Sequence, residues 1–395
     1  MDKKTLPYEG LRIVEFAHMV MGPTCGMVLA DLGAEVIKIE PPSGDSTRVL
    51  RGSGAGFFPM FNRNKKSVVL DIKTPEGLEA ARRLIGSADV VSENFRPGVM
   101  EKLGLGYSAL REVNPRLVYV SHKGFLPGPY EFRAALDEVV QMMGGLAYMT
   151  GRPGDPLRAG ASVNDIMGGM FGAIGAMAAL AQREKTGLGQ LVQSGLFENN
   201  VLLMAQHIAQ YAVTGVPPLP MPARVSAWAI YDVFEASDGK KIFLGVVSDT
   251  QWQIFCQSLG FDEFAKDDRL RTNNDRVRER DRILPVVRAK LTSYSLGALV
   301  DIFDSAGLPY APVLAPHELL DDPHLLQTGG FAEVHLRDGP AAGNTAQLAL
   351  LPILLDGERP GIRLDPPQIG EHSSEILLDL DYSIEEARVL SDPAI

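Results

Sequence analysis

The sequence predicts an α/β protein with a large parallel-sheet domain and a smaller α+β domain. Two observations support this prediction. Short apolar runs alternate with helical patterns up to residue 121, and the alternation stops near residue 200. Because strands joined by helices run parallel and are covered on both faces, the alternation indicates a parallel sheet. The length of 395 residues and a hydrophobic content of 45% are sufficient for two or three domains.

Five strands are predicted for the large domain from short apolar runs bounded by turn residues. They are residues 11–16, 35–40, 67–70, 89–92 and 117–121. Helical patterns lie between them at 24–33, 75–86 and 108–114. This layout is Rossmann-like. However, the first turn holds only Gly22 and Gly26 instead of the fingerprint G-x-G-x-x-G, so a nicotinamide or flavin site loses its main support.

The proline-rich stretch TGVPPLPMPARV at 214–225 is typical of a linker. After it, strand-like runs at 231–235 and 241–246 flank Ser237-Asp238-Gly239, which predicts a hairpin. The late segments LLPILLD and GEHSSEIL predict that the chain returns to the first domain. We therefore divide the chain into a large domain at 1–200, a linker at 201–225, a small α+β domain at 226–329 and a return segment at 330–395.

The charge distribution restricts the class of ligand. The net charge of −11 argues against nucleic acid as a partner, because phosphate binding needs a positive face. Residues 1–123 hold 17 Lys+Arg against 14 Asp+Glu, a balance of +3, so the remainder carries −14 (21 against 35). An anionic ligand is therefore expected to bind in the first third.

Other functional classes have little support in the sequence. The longest apolar stretch, 166–181, is too short and glycine-rich for a membrane span, and the opening MDKKTLPYEG has no leader pattern, so we expect a cytoplasmic protein without a membrane partner. Cys25 and Cys256 lie far apart without clustered histidines. This spacing favours buried small side chains over a disulfide or a metal site.

The most informative stretch is GASVNDIMGGMFGAIGAMAALAQREKTGLGQ, residues 160–190. A single carboxylate, Asp165, stands at the head of an apolar helix rich in small residues. Its position is equally that of a first-turn acid favoured by the helix dipole. The glycines at 168, 169, 172 and 175 allow close approach of another backbone, which helix packing explains without a cofactor.

Six blocks together resemble the class III CoA transferases (CaiB/BaiF type), the group that contains formyl-CoA, carnitine and several dicarboxylate CoA transferases. The blocks are LRIVEFAHMVMGPTCGMVLADLGAEVIKIEPPSGDSTR (11–48), NRNKKSVVLDIKTPEG (62–77), ADVVSENFRPGVMEKLGLGY (88–107), NPRLVYVSHKGF (114–125), the Asp165 stretch, and PPQIGEHSSEIL (366–377). They occur in the family's order and run nearly end to end. The resemblance implies that Asp165 is the nucleophile.

The implied reaction moves CoA from an acyl-CoA to a free carboxylic acid through an aspartyl anhydride and an aspartyl-CoA thioester. Coenzyme A is then a co-substrate, and we expect neither a metal nor a redox cofactor. We expect backbone N–H groups near Asp165, or in a glycine-containing turn, to bind the tetrahedral oxyanions. Succinyl-CoA is a candidate donor and a dicarboxylate a candidate acceptor. Arg63, His122, Lys123 and Arg158 are candidates for holding its distal carboxylate.

By the same resemblance, ten residues are expected to contact CoA: His18, Met19, Val20, Arg48, Asn64, Lys65, Asn94, Phe95, Arg96 and Lys102. The cations among them suit the 3′-phosphate and diphosphate of CoA. Solvated surface charge remains the alternative for Arg48 and for the cations of the NKK run, and a hydrogen-bonded structural role for His18.

The chain departs from formyl-CoA transferases at three places. Leu136 and Asp137 stand where those enzymes carry tyrosine and glutamate, and 245–252 replaces their glycine run. Asp137 and Glu138 are expected either beside the site or as surface acids. Leu136 also argues against an acyl-CoA racemase or epimerase, the family's other activity, because leucine cannot accept a proton. A non-catalytic CoA-binding protein is a second alternative. The family resemblance further implies an interlocked homodimer.

Overall fold

The computed structural model describes residues 5–224 and 226–391. It separates into two compact units, one formed by the chain up to Pro222 together with the chain from Pro323 onward, and one formed by Ala223–Asp322. The first contains a six-stranded parallel sheet and the second a three-stranded antiparallel sheet. The predicted fold class, a Rossmann-like α/β sheet with a smaller α+β part, is confirmed.

The first unit begins with fifteen labelled elements in chain order. These are β1 (Arg12–Phe16), α1 (Met21–Asp31), β2 (Glu35–Glu40), α2 (Phe57–Phe61), β3 (Lys65–Val69), α3 (Pro75–Gly86), β4 (Val90–Glu93), α4 (Val99–Lys102), α5 (Tyr107–Val113), β5 (Val118–Lys123), α6 (Asp137–Met143), α7 (Leu146–Thr150), α8 (Val163–Thr186), β6 (Leu191–Gly195) and α9 (Leu196–Thr214).

The parallel sheet has the strand order β3-β2-β1-β4-β5-β6. Alternate side chains enter two cores: Val14 and Phe16 pack with residues of α3 and α5, while Ile13 packs with residues of α1 and α8. The order reverses between β1 and β4, and open sheets bind ligands beyond the carboxyl ends of their strands at such a reversal. A ligand site is therefore expected at the turns after β1 and β4.

Helix α8 packs closely on α1 because its glycines leave no side chain in the way. A Cβ atom on Gly169 would lie 2.3 Å from the Met21 carbonyl oxygen and 2.5 Å from Thr24 Cβ. At Gly172 it would lie 2.3 Å from the His122 ring. Helix α8 is long and apolar enough to span a membrane, yet its glycine- and alanine-rich face is buried against α1 and the sheet. Packing inside this unit explains its apolar character.

The second unit is built around an antiparallel sheet with the order β7-β8-β9. Its elements are β7 (Ile230–Glu235), β8 (Lys241–Val246), α10 (Asp249–Leu259), α11 (Asp262–Lys266), α12 (Asn273–Arg278), α13 (Arg280–Leu291), α14 (Leu296–Ala306) and β9 (Tyr310–Pro312). The hairpin turns at Gly239, which has a φ of +76°. Trp252, Phe255 and Phe303 lie in a single apolar core with the sheet.

The chain returns to the first unit through α15 (Pro323–Gln327), β10 (Phe331–His335), β11 (Thr345–Ala349), α16 (Ser373–Leu378) and α17 (Ile384–Ser391). Strands β10 and β11 form an antiparallel pair. The segment before α16 covers the edge of β3: the His372 N–H donates to the Ser67 carbonyl at 3.0 Å, and the Val69 N–H donates to Ser373 Oγ at 3.0 Å. This contact removes an unpaired sheet edge.

The segment 201–225, which the sequence suggests as a linker, has a different structure over much of its length. Helix α9 continues to Thr214, and the second unit begins at Ala223 and ends at Asp322. Gly215, with a φ of +69°, ends the helix in the left-handed conformation that glycine adopts readily. Within 201–225, only the proline-rich residues after Gly215 lie between this helix and the start of the second unit.

Candidate active site

Asp165 is the third residue of α8, in the first turn of that helix. Its carboxylate is half-buried. Among residues 5–224 and 226–391, no hydrogen bond or ion pair reaches this carboxylate. An acid in this position normally accepts from the free N–H groups of the first turn, so the lack of such a bond needs an explanation.

Asp137, the first residue of α6, occupies those N–H groups instead. Its Oδ2 accepts from the Asn164 N–H at 2.8 Å and from the Asp165 N–H at 3.0 Å. Its Oδ1 accepts from the Gln141 side chain, and the Gln141 Oε1 accepts from the Ala159 N–H at 2.7 Å. The carboxylate is 4% exposed. Asp137 is therefore a buried helix cap rather than a surface acid.

This arrangement removes two of the amides near Asp165 that were expected as possible oxyanion donors, and it leaves the glycine-containing turn as the other expected source. The amides of Asn164 and Asp165 are already bound to Asp137, so in this conformation they cannot bind a substrate oxyanion. Burial, the charge of Asp137 and the charge of Glu138 raise the pKa of Asp165 to about 7. Glu138 itself forms an ion pair with Arg158. The Asp165 anion is thus poorly stabilised by its surroundings.

The turns after β1 and β4 bring four of the predicted CoA residues together. The Asn94 side chain accepts from the His18 N–H at 3.1 Å and donates to the His18 carbonyl at 2.7 Å. The rings of His18 and Phe95 lie 5.9 Å apart. Met19 has a φ of +64°, which is uncommon for a residue with a side chain and marks a constrained turn.

The remaining predicted residues near these turns differ in exposure. Arg96 and Lys102 are exposed, and no hydrogen bond or ion pair within the described parts of the chain involves their side chains. Val20 is 1% exposed and packs with Met27 and Phe61, so only its backbone is available to a ligand. Two of the predicted cations, Arg96 and Lys102, are therefore free near these turns.

The side chains of Arg48, Asn64 and Lys65 have buried partners within the chain, and their contact with CoA stays a prediction. The fully buried Lys65 ammonium lies 2.8 Å from Glu15 Oε1. The Arg48 guanidinium lies 2.6 Å from Glu40 Oε1 and also pairs with Asp338. Buried charges are normally paired, and these cations already have their partners.

Asn64 joins the first part of the chain to the return segment. Its Nδ2 donates to Asp31 Oδ1 at 2.7 Å, and its Oδ1 accepts from the N–H groups of Arg363 and Leu364 at 2.5 and 2.9 Å. The neighbouring Arg63 is fully buried and pairs with Asp31 at 2.7 Å. Arg63 is therefore excluded as a holder of a substrate carboxylate.

A cavity of about 590 Å³ opens where β1, β2 and β3 end. His18 and Phe95 line it, and so do two lysines that the sequence analysis did not select, Lys38 and Lys73. The Lys38 ammonium is buried 2.9 Å from Asp45 and also donates to the Ala17 carbonyl. Ionisable residues at the carboxyl ends of neighbouring parallel strands are the sequence signal that identifies both lysines.

A second cavity, of about 470 Å³, lies beyond β4 and β5. Asn94, Phe95 and Arg96 line one part of it, and Arg133 and Leu136 line another. Leu136 immediately precedes the helix cap Asp137, so this cavity approaches the start of α8. Its boundary also includes Lys123, which pairs with Glu93 at 2.8 Å.

His122 also contributes to the boundary of the second cavity but is buried and neutral. Burial and the charge of Lys123 lower its pKa to about 3. It therefore offers no positive charge to a carboxylate. No cluster of three metal-ligating side chains occurs within residues 5–224 and 226–391.

Comparisons with known proteins identify the family of this chain. The model of the family described as CoA-transferase family III matches residues 8–373. The succinyl-CoA–D-citramalate CoA-transferase of Chloroflexus aurantiacus is 34% identical over 381 residues, which cover 95% of this chain and 94% of that protein. The succinate–glutarate CoA-transferase of Agrobacterium fabrum is 33% identical over 395 residues, covering 96% of this chain and 97% of that protein.

A solved structure from the same family has a similar fold. The crystal structure of a CaiB/BaiF family protein from Brucella suis superimposes with a TM-score of 0.84 at 32% identity, covering 96% of this chain and 100% of that chain. The sequence and structural matches both extend over almost the whole length. The protein is thus a class III CoA transferase, and it belongs to CoA-transferase family III.

Proposed function

We propose that the protein transfers CoA from succinyl-CoA, or a similar acyl-CoA, to a free dicarboxylate, with Asp165 as the covalent carrier. The observation that carries this proposal is the half-buried Asp165 carboxylate, which has no partner among the described residues and stands at the head of α8. The relatives named above support the substrate class, because their names specify succinyl-CoA or succinate together with citramalate or glutarate.

The proposed reaction consists of four acyl exchanges. An Asp165 oxygen attacks the thioester carbon and displaces CoA thiolate, which gives a mixed anhydride. The thiolate then attacks the Asp165 acyl carbon, which releases the first acid and leaves an aspartyl-CoA thioester. The acceptor carboxylate attacks the carbonyl carbon of this thioester, which expels CoA thiolate and gives a second mixed anhydride. The thiolate finally attacks the acceptor's acyl carbon, so that a new acyl-CoA leaves and the Asp165 carboxylate is regenerated.

Two cavities suit the two parts of the acyl-CoA. The 590 Å³ cavity beyond β1–β3 is large enough for the nucleotide, with His18 and Phe95 at its edge. Arg96 and Lys102 are exposed and free to contact phosphates. The 470 Å³ cavity approaches Asp137 and contains Arg133, which suits an acyl group that ends in a carboxylate.

We also propose that two chains form the active homodimer. Helices α8 and α9 expose large apolar side chains, among them Met170, Ile174, Leu202, Ile208 and Tyr211. Exposed apolar surface of this kind is typical of an interface.

No observation favours the alternative activity of an acyl-CoA racemase, since Leu136 carries no ionisable group at the position that activity requires.

The covalent role of Asp165 can be tested with Asp165→Asn and Asp165→Ala. We expect both variants to fold and to bind CoA, with transfer reduced below about a thousandth of the wild-type rate. Incubation of the wild-type enzyme with succinyl-CoA should give a CoA adduct on the peptide that contains Asp165, detected by mass. A variant that retains substantial transfer, or an adduct on another residue, would refute the proposal.

The substrate class can be tested with an acceptor screen. With succinyl-CoA as donor, we expect new CoA thioesters from dicarboxylates such as glutarate and citramalate, and slower transfer to monocarboxylates of equal chain length such as valerate. Mass detection of the thioesters gives the rank order. A preference for the monocarboxylates would contradict the dicarboxylate assignment while leaving the role of Asp165 intact.

A further inference from the structure

We propose that Asp137 is a positioning residue for the transfer reaction: it occupies the amide donors at the head of α8 and so leaves the Asp165 carboxylate without them. This inference rests on the proposed nucleophilic role of Asp165. It assigns a function to the second carboxylate of the site, which makes no covalent bond in the reaction.

Two carboxylates lie beside one helix N-terminus, whose unpaired N–H groups and positive dipole end favour an anion. Asp137 accepts from two of these N–H groups and also from Gln141. Three donors stabilise its ionised form even though it is buried. Asp165 has none of them, so the helix stabilises the anion of Asp137 at the expense of Asp165.

The other elements packed around α8 supply little compensating charge. Helix α1 faces its glycines with Met21, Thr24 and Cys25. Polar neighbours of α8 include Asn199 and Asn200 on α9, His122 on β5 and Ser194 on β6, and Glu138 with its partner Arg158 lies near Asp165. His122 is neutral, and the charge of Arg158 is directed to Glu138. The carboxylates of α6 are therefore the charges that dominate the surroundings of Asp165.

This arrangement raises the energy of the resting nucleophile more than that of its products. The Asp165 anion is repelled by Asp137, whereas the anhydride and the aspartyl-CoA thioester carry no charge on that side chain. Attack on the thioester therefore relieves the repulsion as the charge moves to the departing thiolate. An interaction that is unfavourable mainly before reaction lowers the barrier of the chemical step.

Asp137→Asn tests this inference, because asparagine retains an oxygen that accepts from the two amides but removes the charge. In the wild-type enzyme, kcat/KM for succinyl-CoA should rise with pH until Asp165 is ionised, near pH 7. Removing the negative charge makes ionisation easier, so in the variant this rise should move to lower pH by about one unit or more. The plateau kcat should fall about tenfold, since the more stable anion is a weaker nucleophile.

Glu138→Gln is the matched control, because it removes the adjacent charge without touching the amides of α8. We expect its pH profile to move less than that of Asp137→Asn. The double variant Asp137→Asn/Gln141→Glu restores a carboxylate one helical turn away and retains a donor–acceptor pair between positions 137 and 141. Its profile should lie between those of the wild type and Asp137→Asn.

Thermal unfolding of each variant identifies loss of structure. If Asp137→Asn does not fold, the pH profile of kcat/KM and the plateau kcat are measured on the double variant instead. A folded variant without the Asp137 carboxylate whose profile and kcat match those of the wild type would overturn the inference. If the wild-type enzyme forms no CoA adduct on Asp165, the proposed function fails instead, and mass analysis distinguishes these two results.

Discussion

At the scale of single residues, burial separates two kinds of cation within one basic part of the chain. Arg48 and Lys65 are enclosed beside Glu40 and Glu15, whereas Lys102 is exposed. Breaking a buried pair leaves an uncompensated charge and costs roughly 3–5 kcal/mol, while an exposed cation has little effect on stability. The same charge reversal should therefore act on folding at Arg48 and on binding at Lys102.

We expect Lys102→Glu to raise the KM for acyl-CoA by about ten- to a hundredfold, the effect of losing a charge-assisted hydrogen bond, without a change in melting temperature. Arg48→Glu should lower the melting temperature strongly, because Glu40 and Asp338 lose their partner. Arg51→Glu, an exposed site three residues further on, is the control and should alter neither quantity. Normal stability with a raised KM in Arg48→Glu would instead support its predicted phosphate contact.

The burial of these cations could have been inferred only in part from the sequence. Glu15, Lys38 and Lys65 stand inside or beside apolar runs, and a charge in a buried strand indicates a buried pair. Which charges pair depends on strand order and register, and these follow from tertiary packing. Asp165 drew notice because it stands alone in an apolar stretch, and its role as nucleophile was implied by the family resemblance. The capping role of Asp137 depends on a loop fold that no local pattern specifies.

At the scale of elements, helix α8 carries Asp165 and holds it in place by close packing on α1. The glycines of α8 were predicted to allow this approach, and the structure has Gly169 directly against the α1 backbone. The position of Asp165 therefore depends on a contact four residues further along the same helix, about one helical turn away.

Gly169→Ala should reduce both stability and activity. Its Cβ would lie 2.3 Å from the Met21 carbonyl oxygen, so α8 must move, at a cost of roughly 1–3 kcal/mol. The movement displaces Asp165, and we expect kcat to fall more than the affinity for CoA. Gly86→Ala in α3 is the control, because nothing lies within 4 Å of the added methyl group. Equal melting temperatures for the two variants would contradict the packing argument.

Buried strands were predicted from the sequence more accurately than the exposed edge strand. Four of the predicted strands end within two residues of the observed ends, and 35–40 coincides with β2, because their apolar runs lie in the core of the sheet. Strand β6 was not predicted. It lies at the sheet edge, and its sequence LVQSG is short and partly exposed, so it lacks a continuous apolar run. Its place is set by pairing with β5.

At the scale of the whole molecule, the first unit depends on segments that are far apart in the sequence. Asn64 binds the backbone at 363–364, Arg48 pairs with Asp338, and the segment at 372–373 covers the edge of β3. The chain thus completes its first unit only after the second unit has been made. Contacts of such long sequence separation favour slow folding.

The proposed homodimer requires an apolar surface that a second copy of the chain can cover. The apolar side chains on α9 continue into a groove of about 360 Å³ lined by Tyr148, Met204, Ile208, Tyr211 and Pro217–Pro218. A second copy of the chain is the occupant that the family resemblance implies. Burial of such a surface resembles an obligate interface, for which a stable folded monomer often does not exist.

We therefore expect the wild-type protein to sediment as a dimer at nanomolar concentration, with unfolding coupled to dissociation. Ile208→Glu should place a charge in the apolar interface and so lower the melting temperature and shift the protein towards monomers or aggregates. Val113→Glu, at an exposed site on α5, is the control and should remain dimeric. Because an obligate dimer is stabilised by mass action, the wild-type melting temperature should also rise with protein concentration. A compact, active wild-type monomer at nanomolar concentration would contradict the dimer and leave the chemistry at Asp165 untouched.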